Sequence, residues 1–225
     1  MRDATNSATG SGRLPDLAIF GEGPAAEAYR SLRANIKFAG GDARARVVLL
    51  ADSGVGEGRP AVAANLAVAL AQAGDTTLLL DADLRRPAQH AIFGAANDRG
   101  VSTFLRGAEG TLPTLPTAVL NLILLPAGPT PPGPAELLAS DRFRLLLALA
   151  RESATFVIVD APPVSAVADA LGIAAAADGT LLLVRAGQTR RAAAQRAKEQ
   201  LLRVGATLLG VVLTDAKPER GAYRY

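Results

Sequence analysis

The sequence predicts an α/β fold in which a mostly parallel sheet carries helices on both faces. Short apolar runs of four to six residues alternate along the chain with longer segments of helical composition. This alternation is typical of parallel strands joined by crossover helices. The strands predicted in this way are Val47–Ala51, Thr76–Leu80, Leu120–Leu125, Phe156–Val159, Thr180–Val184 and Leu208–Leu213.

The helical segments are recognised by composition and by their starts. Pro24 suits a first helical position and predicts a helix that ends near Phe38. The other predicted helices are Ala61–Ala73, Ala135–Arg151 and Thr189–Val204. Before the first helix, Leu17–Phe20 is predicted to be a short extended piece.

The 225 residues are predicted to form one domain, because no long linker divides them. This domain spans residues 16–217. Residues 1–15 are small and polar and are predicted to be a disordered tail. Residues 218–225 form a short C-terminal tail that carries Tyr223 and Tyr225.

The composition excludes several classes of function. The chain has no cysteine and a single histidine, His90, so disulfides, a cysteine nucleophile and a Cys/His zinc site are ruled out. A net charge of +3 without interleaved aromatic and basic residues predicts no nucleic-acid binding. No apolar run is long enough to span a bilayer, and the N-terminus lacks a signal pattern. We therefore expect a cytoplasmic protein that reaches the inner membrane only through a partner.

A glycine-rich loop joins the first predicted strand to the second predicted helix, and it carries Gly54, Gly56 and Gly58. Strand, glycine loop and helix form the context in which backbone N–H groups and a helix N-terminus cradle a phosphate chain. The fold is therefore predicted to be P-loop NTPase-like. The P-loop pattern places Lys and then Ser or Thr after its last glycine, whereas this chain has Arg59 and Pro60.

Three aspartates follow predicted strands. Asp81 and Asp83 come after Thr76–Leu80, and Asp160 comes after Phe156–Val159. In a parallel sheet the ligand crevice lies beyond the carboxyl ends of the strands, so these side chains share an edge with the glycine loop. A single aspartate in such a place is more often a turn or helix-cap residue. Three beside a phosphate cradle predict magnesium ligands and a base for an attacking hydroxyl.

A second glycine pattern leaves another function open. Gly21–Ala26 matches Gly-x-Gly-x-x-Ala at the start of a helix, and Asp52 ends the next strand where a ribose-binding acid would lie. Together they predict a dinucleotide-binding oxidoreductase as an alternative. A match of this kind is common, and the segment before it has only four residues, so we rank this alternative last.

Four longer segments carry a family resemblance: Val62–Gly74, Leu78–Pro87, Pro126–Ser140 and Phe156–Pro163. Through them the chain resembles the cytoplasmic module of the bacterial tyrosine kinases that govern capsule and exopolysaccharide synthesis. They match, in order, the helix after the Walker A loop, the second Walker motif, the Pro-rich loop with its Glu-Leu-Leu helix, and the Walker B strand. The resemblance extends over nearly the whole chain from Gly23 onward.

The resemblance implies ATP and Mg²⁺ as cofactors. It implies that Asp81 and Asp83 bind magnesium and act in catalysis, and that Asp160 is a metal-linked acid. Arg59 stands at the position of the catalytic lysine. The residues implied to bind the nucleotide are Gly54, Val55, Gly56, Glu57, Gly58, Arg59, Pro60 and Thr214.

The resemblance also implies assembly and modification. On the residues alone, Glu27, Arg30 and Arg33 form a solvated charged face, since they are spaced by three along a helix. They reproduce the Glu-x-x-Arg-x-x-Arg motif that packs the family into rings, which implies association with itself or with an intact kinase paralogue. Tyr223 and Tyr225 stand where the family carries phosphoacceptor tyrosines. The implied partner is a membrane-embedded protein that sets polysaccharide chain length.

The departures from the family pattern concentrate at the nucleotide. Arg59 and Pro60 replace the Walker lysine and the hydroxyl residue, and Gly133 and Thr214 replace two asparagines. Arginine is a longer planar fork than an ammonium, and proline offers neither a hydroxyl nor an N–H. The loss of two charge-assisted contacts of roughly 1.5–3 kcal/mol each predicts nucleotide binding weakened by about 10²–10⁴-fold.

The sequence therefore predicts a tyrosine-kinase-like regulator of capsular or exopolysaccharide synthesis, with ATP binding and phosphotransfer weakened or lost. The main alternative is an active autokinase that uses Arg59 together with Asp81, Asp83 and Asp160. A cargo-partitioning ATPase is less favoured, because the charged helix face and the terminal tyrosines belong to the kinase type.

Overall fold

A computed structural model of the chain describes residues 17–38, 47–54, 56–107, 110–164 and 169–216. The strands are Val47–Asp52 (β1), Thr77–Asp81 (β2), Leu115–Pro116 (β3), Leu122–Leu125 (β4), Phe156–Asp160 (β5), Gly179–Arg185 (β6) and Leu208–Thr214 (β7). The helices are Pro24–Phe38 (α1), Arg59–Gln72 (α2), Gln89–Ile92 (α3), Val101–Leu105 (α4), Pro134–Leu138 (α5), Asp141–Ser153 (α6), Asp169–Ala176 (α7) and Arg191–Arg203 (α8). The tails proposed at residues 1–15 and 218–225 lie outside the described residues.

The strands form one sheet in the order β3-β4-β2-β5-β1-β6-β7. Neighbouring strands run parallel, except that β3 pairs antiparallel with β4 at one edge. This confirms the predicted α/β fold with a mostly parallel sheet, and every predicted strand is present. The two-residue β3 was not predicted. It is too short for a periodicity, and its Pro116 suits only an edge position.

Helices cover both faces of the sheet, as predicted. Val48 and Leu50 of β1 pack on one face with Leu66 of α2, in a core that α1 also joins. Val47 and Leu49 point to the opposite face, into a core that α4, α5, α6, α7 and α8 complete. Because the central strands β1, β2 and β5 are buried on both faces, they read as continuous apolar runs in the sequence.

The prediction of an extended piece at Leu17–Phe20 is wrong. Ala18–Phe20 forms a 3-10 turn instead, and Ile19 is buried. The backbone N–H of Ile19 donates to Oδ1 of Asn65 on α2 at 2.8 Å. A hydrogen bond to a residue 46 positions away therefore holds this turn against α2.

The single helix predicted at Ala135–Arg151 is divided into α5 and α6. Ser140 has extended backbone angles, with ψ of 160°, and precedes the first residue of α6. Its Oγ donates to the carbonyl of Leu137 at 2.6 Å. Serine hydroxyls compete for backbone groups in this way, and helix boundaries often lie at such residues. Within the described ranges, no helix combines the length and hydropathy that crossing a bilayer requires.

Candidate active site

The site lies at the carboxyl ends of three adjacent strands. The central part of the sheet runs β2-β5-β1, and these strands end at Asp81, Asp160 and Asp52. Asp81 and Asp160 lie directly opposite each other in the strand register. The structure thus brings the predicted aspartates to one edge of the sheet, beside the glycine loop that follows β1.

Arg59 lies at the centre of this edge and pairs with three carboxylates. It is the first residue of α2, after Gly58, whose left-handed φ of 82° turns the loop into the helix. Nη1 donates to Oδ2 of Asp52 at 2.9 Å, and Nη2 donates to Oδ2 of Asp83 at 2.7 Å. Nε donates to Oδ1 of Asp160. The side chain of Arg59 is only 4% exposed, so these ion pairs are buried.

Burial and charge oppose each other in this cluster. Burial raises the pKa of Asp52 to about 7, although the charge of Arg59 lowers it. Burial also raises the pKa of Asp160 against the lowering effect of Arg59. For the guanidinium, burial disfavours the charge, but the carboxylates of Asp160 and Asp52 outweigh it and raise the pKa of Arg59. Arg59 therefore stays a cation at every physiological pH.

Asp81 holds the loop after β2 and does not pair with Arg59. Its Oδ2 accepts the backbone N–H groups of Ala88 at 2.9 Å and Gln89 at 3.0 Å. Its Oδ1 accepts the N–H of Asp83 at 3.2 Å. Burial, with the nearby charge of Asp160, raises the pKa of Asp81 to about 7. In this arrangement Asp81 has the turn-forming role that a lone aspartate would be expected to have.

The glycine loop is braced by Glu57. Its carboxylate accepts from the N–H of Ser53 at 2.7 Å, and from the hydroxyls of Ser53 and Thr189 at 2.6 Å each. The carbonyl of Glu57 accepts from Oγ1 of Thr214 at 2.9 Å, which ties the end of β7 to the loop. Gly54 and Gly56 complete the described part of the predicted nucleotide loop, while Val55 lies outside the described residues.

A cleft of about 990 Å³ lies on the outer side of this loop, between α1 and the end of β7. Gly56, Glu57, Gly58 and Thr214 line it, so it meets the predicted nucleotide loop from the side of the last strand. Arg59 and its carboxylate partners do not line the cleft. This cleft and the buried charge cluster are therefore separate features with different lining residues.

The remaining predicted residues lie away from the cluster. On α1, Arg30 pairs with Glu27 at 3.1 Å, and both are about half exposed. Arg33 instead donates to the carbonyl of Ala69 on α2 at 3.3 Å. Gly133 precedes α5 with a left-handed φ of 60°. The phosphoacceptor candidates, Tyr223 and Tyr225, lie outside the described residues.

No protein-family model matches the chain. The chain is 39% identical over 192 residues to the tyrosine-protein kinase YwqD of Bacillus subtilis, and the match covers 85% of this chain and 81% of the relative. The chain belongs to the bacterial tyrosine-protein kinases.

Solved kinase structures support this placement. The chain matches the chimerical protein CapA2B2 with a TM-score of 0.83 and 36% identity over 88% of each chain. It matches the kinase domain of the Escherichia coli tyrosine kinase ETK with a TM-score of 0.80 and 30% identity, over 89% of this chain and 80% of that one. The predicted family and the P-loop NTPase-like fold are thereby confirmed.

The dinucleotide alternative fails on local structure. A Gly-x-Gly-x-x-Ala pattern binds a pyrophosphate only when it follows a strand of the sheet. Here Gly21–Ala26 follows the 3-10 turn at Ala18–Phe20. Asp52, which the same alternative assigned to a ribose, pairs with Arg59 instead.

Magnesium, which kinase-family membership implies, does not fit the cluster as it is arranged. One carboxylate oxygen of Asp83 and one of Asp160 already accept hydrogen bonds from Arg59. Pro60 lacks the hydroxyl that a P-loop supplies to the ion. In the part of the chain that the structure describes, no three acidic or histidine side chains are spaced to hold a metal ion. The metal assignment of Asp81, Asp83 and Asp160 thus stays a prediction from the family.

Sequence reasoning missed two members of this kinase-family site. Asp52 was noticed only as a possible ribose-binding acid, although its place at the end of β1 was a usable signal. Gln89 gave no signal, because a single glutamine at the start of a four-residue helix has no characteristic pattern. Its Nε2 donates to Oδ2 of Asp160 at 2.6 Å and to the carbonyl of Pro60 at 3.0 Å, which links β5 to the start of α2.

Proposed function

We propose that this chain is a regulatory member of the bacterial tyrosine kinases, acting in capsular or exopolysaccharide synthesis, with ATP binding and phosphotransfer weakened or lost. The observation that carries the proposal is the commitment of Arg59 to three buried carboxylates. In P-loop enzymes the corresponding lysine cradles the β- and γ-phosphates. A side chain engaged by Asp52, Asp83 and Asp160 is not available for that task.

Releasing Arg59 toward a phosphate would be costly. The three carboxylates are at most 7% exposed as side chains, and each would lose its cationic partner. Removing one partner from a buried ion pair typically costs about 3–5 kcal/mol. This cost would be subtracted from the binding energy of the nucleotide. Pro60 adds to the deficit, because it has neither a hydroxyl for magnesium nor an N–H for a phosphate oxygen.

The second candidate is an active autokinase, and family membership favours it. The aspartates at the ends of β2 and β5 are in place, and Arg59 carries the same charge as the lysine it replaces. In this alternative ATP–Mg²⁺ would draw Arg59 out of the cluster, and Asp81, Asp83 and Asp160 would then face the metal. The two candidates therefore differ in where Arg59 lies when nucleotide is present.

Family membership supports a proposal for the partner and the location. We propose that the chain binds a membrane-embedded protein that controls polysaccharide chain length, and is held at the inner membrane through it from the cytoplasmic side. We also propose association with itself or an intact kinase paralogue through α1. Glu27 and Arg30 are exposed there and pair only with each other in the described structure, so they are available to a neighbouring subunit.

The test has two readouts on the full chain. Isothermal titration should show ATP–Mg²⁺ binding at least 100-fold weaker than in an intact kinase relative measured beside it. Protein expressed in a host without such kinases should carry no phosphotyrosine at Tyr223 or Tyr225 by mass spectrometry. Phosphate there that disappears in an Asp83→Asn variant, shown by circular dichroism to be folded at the assay temperature, would establish the active autokinase instead.

A further inference from the structure

The guanidinium of Arg59 has the coordination partners of a bound cation. Its three nitrogens are directed at carboxylates from three separate parts of the fold: Asp52 at the end of β1, Asp160 at the end of β5 and Asp83 after β2. These residues are 7, 101 and 24 positions away from Arg59 in the chain. A positive charge at this point therefore holds together strands that are distant in sequence.

The carboxylate oxygens are nearly saturated by protein donors. Asp83 uses its second oxygen to accept the N–H of Arg86 at 3.0 Å. Asp160 uses its second oxygen to accept Nε2 of Gln89 at 2.6 Å. With the bonds from Arg59, five of the six oxygens of this trio are paired, and only Oδ1 of Asp52 lacks a partner among the described residues. A divalent metal needs several free oxygens and close-fitting geometry, and this cluster offers one.

We infer that Arg59 is the resident cation of this site and takes the place of Mg²⁺, so that the carboxylate edge is assembled permanently and without metal. The substitution at position 59 thus does more than remove a phosphate ligand. It converts a residue of the phosphate cradle into an internal counterion for the aspartates. This inference deepens the proposed function, on which its biological meaning rests, but its test needs no nucleotide.

The inference predicts how the protein responds to Mg²⁺ alone. The parent chain should show no saturable change in melting temperature when MgCl₂ replaces NaCl at constant ionic strength. Arg59→Ala leaves Asp52, Asp83 and Asp160 without their cation, so it should melt lower. Mg²⁺ should then raise its melting temperature by about 3 °C or more at ten times the dissociation constant, because a ligand that binds only the folded state stabilises it.

A matched control separates this effect from general charge screening. Arg151 pairs with Asp178 at 2.6 Å near the opposite ends of the strands, and both are about one-third exposed. Arg151→Ala also removes an arginine–aspartate ion pair, but this pair lies away from the carboxylates at the ends of β1, β2 and β5. Its melting temperature should not respond to Mg²⁺ beyond the matched NaCl series.

Two outcomes would overturn the inference. One is a saturable Mg²⁺ effect on the parent chain. The other is an Arg59→Ala variant that is folded and destabilised yet indifferent to Mg²⁺. If Arg59→Ala does not fold, calorimetric titration of MgCl₂ into the parent decides alone: no binding heat supports the inference, and millimolar or tighter binding refutes it. Self-phosphorylation by a parent that binds no free Mg²⁺ would refute the proposed function and leave this inference intact.

Discussion

Repair of the glycine loop is the perturbation that the structure constrains most closely. Arg59→Lys with Pro60→Thr restores the P-loop residues, and with them a compact ammonium, a hydroxyl for magnesium and a backbone N–H. Judged from sequence, the change looks harmless to the apo fold, because position 60 only opens a helix. The structure alters that expectation, because Arg59 joins three buried carboxylates.

The expected magnitude follows from the contacts. A lysine ammonium is a compact point charge and cannot reproduce the fork that spans Asp52, Asp83 and Asp160. Loss of two of the three charge-assisted bonds costs roughly 3–6 kcal/mol, at about 1.5–3 kcal/mol each. For a domain of this size each kcal/mol lowers the melting temperature by about 2–4 °C, so the apo double variant should melt at least about 6 °C lower. ATP–Mg²⁺ affinity should rise by about tenfold or more, since one recovered contact is worth roughly 1.4 kcal/mol.

Thermal unfolding without ligand and calorimetric titration with ATP–Mg²⁺ measure the two effects separately. The control is Arg144→Lys, whose ion pair with Asp141 is exposed on both sides and should barely affect stability. A double variant as stable as the parent would show that the Arg59 cluster does not hold the strand ends together. Whatever its melting temperature, a double variant that binds ATP–Mg²⁺ no better than the parent would place the binding defect elsewhere. Gly133 and Thr214 would then be the next candidates.

Two further predictions concern assembly and pH. Arg30→Glu should dissociate oligomers in sedimentation velocity without changing the melting temperature. Arg33→Glu should also destabilise the monomer, because Arg33 donates to the carbonyl of Ala69. An oligomer that survives Arg30→Glu would refute the proposed ring. The pKa of Asp52 is about 7 in the folded state against an ordinary 3.8. Protonated Asp52 therefore stabilises the fold, and this contribution to the free energy of unfolding is fully present below about pH 4 and is lost as pH rises through 7. The urea concentration at the unfolding midpoint should therefore be lower at pH 8 than at pH 5, and the difference should be smaller in Asp52→Asn. An equal difference in both proteins would contradict the raised pKa.

Much of the fold was predictable because its signals are local. Runs such as Phe156–Val159 are apolar throughout, since both faces of the sheet are covered, and that pattern survives in the sequence without any knowledge of neighbours. The helix Pro24–Phe38 was predicted with its observed ends, because Pro24 marks the first turn. The break at Ser140 and the 3-10 turn at Ala18–Phe20 were missed, because competing hydrogen bonds decide them.

The candidate site was likewise predictable only in part from the sequence. The sequence by itself determined that a glycine loop, a helix N-terminus and aspartates after β2 and β5 meet at one edge, because the carboxyl ends of parallel strands must lie together. Only the tertiary structure decided what Arg59 does there. Its partners are up to 101 residues away, and the strand order β2-β5-β1 brings their oxygens within reach of one guanidinium. That order arises from the packing of the whole sheet, and no local pattern encodes it.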